Sequence, residues 1–109
     1  MKKNGPWTIL GSEVKYKSPW LKLREDKVIQ PNGKEGFFAV VEKLPGVSVL
    51  PYEDGYVYLT EEFKYTMGNM TIDCVSGGID EGEKPLDAAK RELQEEAGIV
   101  ANEWIDLAY

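Results

Sequence analysis

Three carboxylates on one face of a predicted helix are the residues of this chain that could bind a metal ion. They lie at Glu92, Glu95 and Glu96, within the segment GGIDEGEKPLDAAKRELQEEAGI that begins at Gly77. Residues at i, i+3 and i+4 are neighbours on a helix surface, and like charges there cost about 0.2–0.5 kcal/mol per pair. Two of the three also lie in the last turn, where the helix dipole disfavours anions. Because a bound cation would remove both penalties, the pattern predicts a metal site.

The ligand type narrows the choice of metal. Carboxylates are hard oxygen donors, which favours Mg²⁺ beside a phosphate, and Mn²⁺ would also suit an all-oxygen site. The chain contains no histidine, so imidazole-based zinc sites and the commonest general base are excluded. On helix geometry alone, the alternative is a solvated acidic face whose glutamates pair with Lys90 and Arg91.

A single helix is predicted to position these groups, over residues 85–97. Pro85 suits its first turn and Gly98 its C-terminal cap. Its apolar residues form a stripe that is expected to pack on a sheet and to leave the carboxylates at an edge. Ala88, close to the acidic face, is expected to leave space above the helix. The stripe consists of Leu86, Ala89, Leu93 and Ala97.

The preceding two-thirds of the chain is predicted to be β-structure. Asn32-Gly33 and Asp54-Gly55 are turn signals that mark two hairpins. The fold class is therefore α+β, with residues 1–44 as an antiparallel N-terminal layer and 45–109 as the main unit. Strands are predicted over 13–16, 21–30, 36–43, 47–52, 56–64 and 70–75, and 101–109 is predicted to start another.

Composition limits the classes of partner. Of 109 residues, 42% are hydrophobic, which is typical of a globular chain, and the net charge of −6 argues against nucleic acids and anionic membranes as partners. The single cysteine, Cys74, cannot form an internal disulfide, which favours a reducing compartment. The start, MKKNGPW, lacks the apolar run of a signal peptide, and no segment approaches the roughly 20 apolar residues of a membrane helix. We therefore expect a cytoplasmic protein.

The glutamate segment resembles the signature of the Nudix hydrolases at every fixed position of G-x5-E-x7-R-E-L-x-E-E-x-G-I. The segment that leads into this signature, CVSGGIDEGE from Cys74, is similar to the corresponding segment of the ADP-ribose pyrophosphatase branch. The stretch TEEFKY from Thr60 is also similar to a strand end of that branch. The N-terminal layer resembles the extra domain through which such enzymes often dimerise. The resemblance implies a Nudix-type mixed β-sheet packed against the signature helix, and a homodimer.

The same resemblance implies a reaction. A nucleoside diphosphate linked to a second moiety, such as ADP-ribose or another nucleotide sugar, would be hydrolysed to a nucleoside monophosphate and a phosphorylated product. Mg²⁺ would be held by Glu92, Glu95 and Glu96 and by the carbonyl of Ser76, and it would lower the pKa of the attacking water. The base would be one of these glutamates, Glu83 or metal-bound hydroxide.

The remaining site residues take their roles from the resemblance. Arg91 would orient the glutamates, and Glu83 would steady the junction of loop and helix. Gly77 and Gly78 would allow a close turn against the substrate. Lys64 stands where the branch often has a substrate-binding arginine, and a lysine offers a point charge instead of a two-pronged clamp. Candidates for base stacking, with plain packing as the alternative, are Trp7, Tyr52, Tyr56 and Tyr58.

The chain departs from the family after the signature. Only ten residues follow Ile99, so we expect the usual C-terminal continuation, with its further glutamate, to be missing. The exposed sheet edge would then favour an oligomer or mark a truncated product. Two alternatives stay open: an inactive or weak remnant that binds metal or nucleotide or self-associates, and hydrolysis of nucleoside triphosphates.

Overall fold

An antiparallel meander of four strands builds the first of two units, Met1–Leu44, in the computed structural model, which describes residues 1–108. The turn between its last two strands confirms the Asn-Gly signal, because Gly33 has a positive φ of 84° and its N–H donates to the Gln30 carbonyl at 2.9 Å. The strands, in spatial order, are β1 (Lys2–Asn4), β2 (Trp7–Lys17), β3 (Leu21–Ile29) and β4 (Glu35–Lys43).

Two details of this meander differ from the prediction. The strand expected over 13–16 is β2, which already begins at Trp7. Strand β1 was not predicted, because the sequence KKN has no apolar residue to signal a strand. Buried Asp26 and Val28 lie on the central strand β3. The Asp26 pKa is lowered by hydrogen bonds from the Ser12 hydroxyl and from Arg24.

The second unit begins at Pro45, and its strands are shorter than predicted. The expected strands 47–52 and 56–64 each break in two. Pro51 has no N–H for a ladder, and its carbonyl instead accepts from the Tyr58 N–H at 3.0 Å. The expected strand 70–75 also divides, at Cys74. The resulting strands are β5 (Gly46–Val49), β6 (Tyr52–Glu53), β7 (Tyr56–Val57), β8 (Thr60–Lys64), β9 (Asn69–Asp73) and β10 (Val75–Gly78).

These strands pair antiparallel as β5–β10, β6–β7 and β8–β9. The Asp54-Gly55 turn is present between β6 and β7, with positive φ at both residues. The second predicted hairpin is therefore correct at its turn but wrong in its length. Strand β5 pairs with β10, which is distant in sequence, and this pairing places Ser76 opposite Ser48 and Gly77 opposite Val47.

Helix α1 spans Pro85–Ala97, as predicted, and packs on β10 and β5. Gly98 caps it in the left-handed region, at φ 65°, with its N–H donated to the Gln94 carbonyl at 2.9 Å. The predicted apolar stripe is only partly correct. Ala89 and Leu93 are buried, whereas Leu86 is 47% exposed and Ala97 is also exposed.

Ala88 is fully buried, so the expectation that it leaves space above the helix is wrong. The helix is rotated such that Ala88 and Glu92, four residues apart, lie toward the sheet. This rotation is possible because β10 has Gly77 where Glu92 approaches it, and therefore no side chain there that would hold the helix away.

The predicted C-terminal strand is absent from the part of the chain that the structure describes. Residues 101–108 form no strand, and Tyr109 lies outside the described residues. Within residues 1–108, no helix has the length and apolar character needed to cross a membrane.

Candidate active site

The Arg91 guanidinium connects four parts of the predicted site. Its Nε and Nη2 donate to the two carboxylate oxygens of Glu83, at 3.0 and 2.9 Å, and Nη2 also donates to the Gly78 carbonyl at 2.9 Å. Its Nη1 donates to Glu92 Oε1 at 2.8 Å and, more weakly, to Glu95 Oε2 at 3.3 Å. One side chain thus ties the loop before α1 to the carboxylates of the helix.

Glu83 is held in place by the Asp80 backbone as well as by Arg91. Its carboxylate accepts the Asp80 N–H at 3.1 Å, and its own N–H donates to the Asp80 carbonyl at 3.0 Å. The bond from Arg91, followed by the one from the Asp80 backbone, lowers the Glu83 pKa below its ordinary 4.5. The pKa of Arg91 is raised in turn, first by Glu83 and then by Glu92. Both groups are therefore held in their charged forms.

Acid titration of Glu83→Gln tests this pair. Because the folded-state pKa of Glu83 is depressed, its contribution to stability is complete above the ordinary value and is lost as the pH falls from that value through the folded-state pKa. We expect the urea midpoint of helical circular dichroism to fall less steeply over that window in Glu83→Gln than in the wild type. The control is Glu81→Gln, an exposed change in the same loop. A wild-type slope in Glu83→Gln would contradict the assignment.

Glu92 lies in a cradle formed by a glycine. Its side chain is mostly buried, and a Cβ built on Gly77 would overlap the Glu92 carboxylate itself. The absence of a side chain at Gly77 is therefore what allows the carboxylate to lie against β10. Gly77 is expected to allow a close approach of the substrate. In the structure, the group that approaches Gly77 closely is the Glu92 carboxylate.

Glu96 faces a different group of residues. It lines a cavity of about 150 Å³ together with Ser76 and Lys64. The structure thus brings together three site residues that are far apart in sequence. Glu95, by contrast, is exposed and contacts Arg91. The other residues that line the cavity are Thr60, Glu62, Asp73 and Cys74.

Two acidic residues of this cavity were not predicted. Lys64 Nζ pairs with Glu62 and lies 3.9 Å from Asp73 Oδ2. The Lys64 pKa is raised, chiefly by its hydrogen bond to Glu62. The sequence held a signal for Glu62, because strand alternation puts Thr60, Glu62 and Lys64 on one face of β8. Asp73 reaches that face through the pairing of β8 with β9, in which it is opposite Thr60.

The donor set fits a hard divalent cation in chemical type. Glu92, Glu95 and Glu96 offer carboxylate oxygens from neighbouring positions of α1, and Ser76, which lines the same cavity as Glu96, has a backbone carbonyl oxygen of the same donor type. The three carboxylates nevertheless do not converge on one point. Among residues 1–108, no three acidic, histidine or cysteine side chains are grouped closely enough to hold a metal ion. Arg91 instead occupies the space between Glu92 and Glu95.

The aromatic candidates have separate surroundings. Trp7 makes an edge-to-face contact with Phe38, with ring centroids 5.5 Å apart, which is a packing role within the first unit. Tyr52 and Tyr56 are exposed on the short β6–β7 hairpin. The Tyr58 hydroxyl donates to Glu53 at 3.5 Å.

Two family models match the chain. The model described as the NUDIX domain covers residues 42–108, and the one described as the nucleoside diphosphate sugar hydrolase N-terminal domain covers residues 7–41. A crystal structure of an ADP compounds hydrolase superposes with a TM-score of 0.78 at 27% identity, over 94% of this chain and 57% of that one. The fold is therefore shared over almost the whole of this chain.

Several curated proteins are similar in sequence. An ADP-ribose pyrophosphatase of Mycobacterium tuberculosis is 31% identical over 87% of this chain and 47% of that protein, and a mouse ADP-sugar pyrophosphatase is 28% identical over 86% and 49%. An RNA pyrophosphohydrolase of Bartonella bacilliformis is 78% identical in an alignment of 60 residues that covers 50% of this chain and 35% of that protein. The chain spans about half the length of the first two of these relatives.

Proposed function

The chain belongs to the Nudix family, and from that premise we propose that it hydrolyses the diphosphate bond of a nucleoside diphosphate linked to a second moiety. ADP-ribose, or a similar nucleotide sugar, is the proposed substrate, and the products are a nucleoside monophosphate and a phosphorylated second product. The observation that carries the proposal is the cavity lined by Ser76, Lys64 and Glu96, the last of which lies on the helix whose other two glutamates are hydrogen-bonded to Arg91.

Coverage favours a nucleotide sugar over other Nudix substrates. The ADP-ribose and ADP-sugar pyrophosphatases align with more than four-fifths of this chain. The RNA pyrophosphohydrolase aligns with only half of it, although at higher identity. The match to the nucleoside diphosphate sugar hydrolase N-terminal domain supports the same choice. A 5′-triphosphorylated RNA and a nucleoside triphosphate belong in the substrate panel as the competing classes.

The proposed mechanism gives each residue a separate task. Glu92, Glu95, Glu96 and the Ser76 carbonyl would hold Mg²⁺, for which Mn²⁺ can substitute. When bound, such a cation polarises the diphosphate and lowers the pKa of a water molecule. Arg91 holds Glu92 and Glu95 in place by charge-assisted hydrogen bonds.

The neighbours of these groups complete the site. Glu83 fixes the plane of the Arg91 guanidinium with two hydrogen bonds, so that its other nitrogen faces the helix carboxylates. Lys64 presents an ammonium to the cavity and would contact a phosphate oxygen. The base that takes the proton from the attacking water would be Glu83 or one of the helix glutamates.

Release of AMP from ADP-ribose tests the proposal. We expect the purified chain with Mg²⁺ to form AMP and ribose 5-phosphate in equal amounts, to stop when excess EDTA is added, and to recover when Mg²⁺ is restored. A turnover number on the order of 1 s⁻¹ or more would be that of an ordinary enzyme and would exclude an inactive remnant. A folded protein that releases no AMP, or that prefers triphosphorylated RNA or nucleoside triphosphates, would contradict the proposal.

We further propose that the first unit mediates a homodimer. Tyr16 and Val41 both pair with Leu23, so the three side chains lie in a row across one face of the meander. Tyr16 and Val41 are more than half exposed, and β4 is an edge strand. Sedimentation equilibrium at micromolar concentration should give twice the 12.3 kDa chain mass. A single-chain mass would contradict the proposal, and Val41→Lys should shift a dimer toward monomer.

A further inference from the structure

The hairpin of β8 and β9 has two chemically different faces. Thr60, Glu62 and Lys64 alternate along β8 and line the cavity, as does Asp73 at the end of β9. The intervening residues point the other way. The other face carries Glu61, Phe63, Met70 and Ile72, which the register places in adjacent pairs.

The cavity face carries more negative than positive charge. Among residues 1–108, Lys64 is the one basic residue that lines it, against the three carboxylates of Glu62, Asp73 and Glu96. Two of these carboxylates already engage the lysine: Glu62 is hydrogen-bonded to Nζ, and Asp73 Oδ2 lies 3.9 Å away. The Thr71 hydroxyl donates to the same Asp73 oxygen at 2.7 Å, which orients this carboxylate.

A phosphate that enters this cavity meets a lysine whose charge is already compensated. To contact Nζ, it must replace Glu62 or Asp73 as the partner of the ammonium, while the remaining carboxylates repel it. A divalent cation that enters with the phosphate changes this balance, since it offsets the excess negative charge around Lys64.

We propose that Glu62 and Asp73 are specificity-determining residues, which act as internal counterions of Lys64 and exclude diphosphates that arrive without a divalent cation. The inference rests on the proposed function for the class of ligand, and it assigns a role to two residues outside the signature. Neither needs to touch the reacting atoms, because both act through the position and the charge of Lys64.

Metal-free binding of inorganic pyrophosphate, measured by isothermal titration calorimetry in EDTA, tests the proposal. We expect Glu62→Gln and Asp73→Asn each to bind about two- to fivefold more tightly than the wild type, the range of partly exposed ion pairs. The matched control is Glu61→Gln, which makes the same change of charge on the same strand but on the other face, and which should bind as the wild type does. A purely structural role would weaken binding, so a gain separates the two readings.

The same binding measurement is repeated with Lys64→Met added to the wild type, to Glu62→Gln and to Asp73→Asn. If the carboxylates act through Lys64, its removal should abolish the gain of Glu62→Gln and of Asp73→Asn. Equal affinity in the wild type and both variants, an equal gain in Glu61→Gln, or no binding in any variant would overturn the proposal. The result is independent of turnover: a chain that shows this pattern but releases no AMP from ADP-ribose would contradict the proposed function alone.

Discussion

Replacing Glu95 by glutamine should lower kcat/KM for ADP-ribose by about 100-fold or more at saturating Mg²⁺, which corresponds to about 2.7 kcal/mol of transition-state stabilisation. Glutamine keeps the shape of the side chain and removes the negative charge that a hard cation needs. The free energy of unfolding should stay within about 0.5 kcal/mol of the wild type, because Glu95 is exposed and its bond to Arg91 is long.

The comparison of activity with stability is what makes this variant informative. Glu103→Gln is the matched control, since it is an exposed glutamate beyond the helix and should keep full activity. A Glu95→Gln protein that retains wild-type turnover would remove Glu95 from the set of metal ligands. It would also weaken the assignment of the reaction to the carboxylate face of the helix.

Local sequence signals are sufficient to predict the two ends of α1. Pro85 has no N–H, and the first turn of a helix has no intrahelical acceptor for one, so proline is well suited to that position. Gly98 takes a left-handed conformation that other residues rarely adopt. The positions at which α1 begins and ends are therefore determined by the terminal residues themselves and not by distant contacts. The Asn32-Gly33 and Asp54-Gly55 turns were correct for the same reason, since each needs only its own backbone conformation.

The rotation of the helix could not be predicted in the same way. Which face of α1 turns inward depends on the residues of the opposite strand, and β10 has a glycine, Gly77, at the point where Glu92 approaches it. Ala88 and Glu92 therefore lie against the sheet, and Leu86 is left half exposed. A hydrophobicity pattern ranks Leu86 above Glu92 as a core residue, because it contains no information on the space left by Gly77.

The residues around Lys64 could likewise be predicted only in part from the sequence. Alternation along β8 indicates that Glu62 and Lys64 share a face, but it does not indicate what that face meets. Asp73 reaches the cavity through the register of the β8–β9 hairpin, and Glu96 reaches it through the packing of α1, which is distant in sequence from β8. The family signature identified Glu96, and no local pattern would have identified Asp73.

Gly77→Ala is the second variant with a large expected effect. The added methyl group would occupy the position of the Glu92 carboxylate, so either the glutamate or the strand must move. We expect a loss of about 1–3 kcal/mol in the free energy of unfolding, as for other substitutions that overfill a packed site, and a loss of kcat/KM of about tenfold or more, because Glu92 leaves its bond to Arg91. Urea unfolding and AMP release measure the two effects.

The adjacent glycine and a double-mutant cycle distinguish this mechanism from general damage to the strand. Gly78→Ala should be tolerated, because a Cβ there meets no atom within 4 Å. Glu92→Ala in the Gly77→Ala background should recover much of the lost stability, since the methyl group and the carboxylate no longer compete for one space, while activity stays low without the ligand. If the two substitutions were additive in stability, the overlap of Gly77 with Glu92 would not be the cause, and the cradle would have no role in holding this carboxylate.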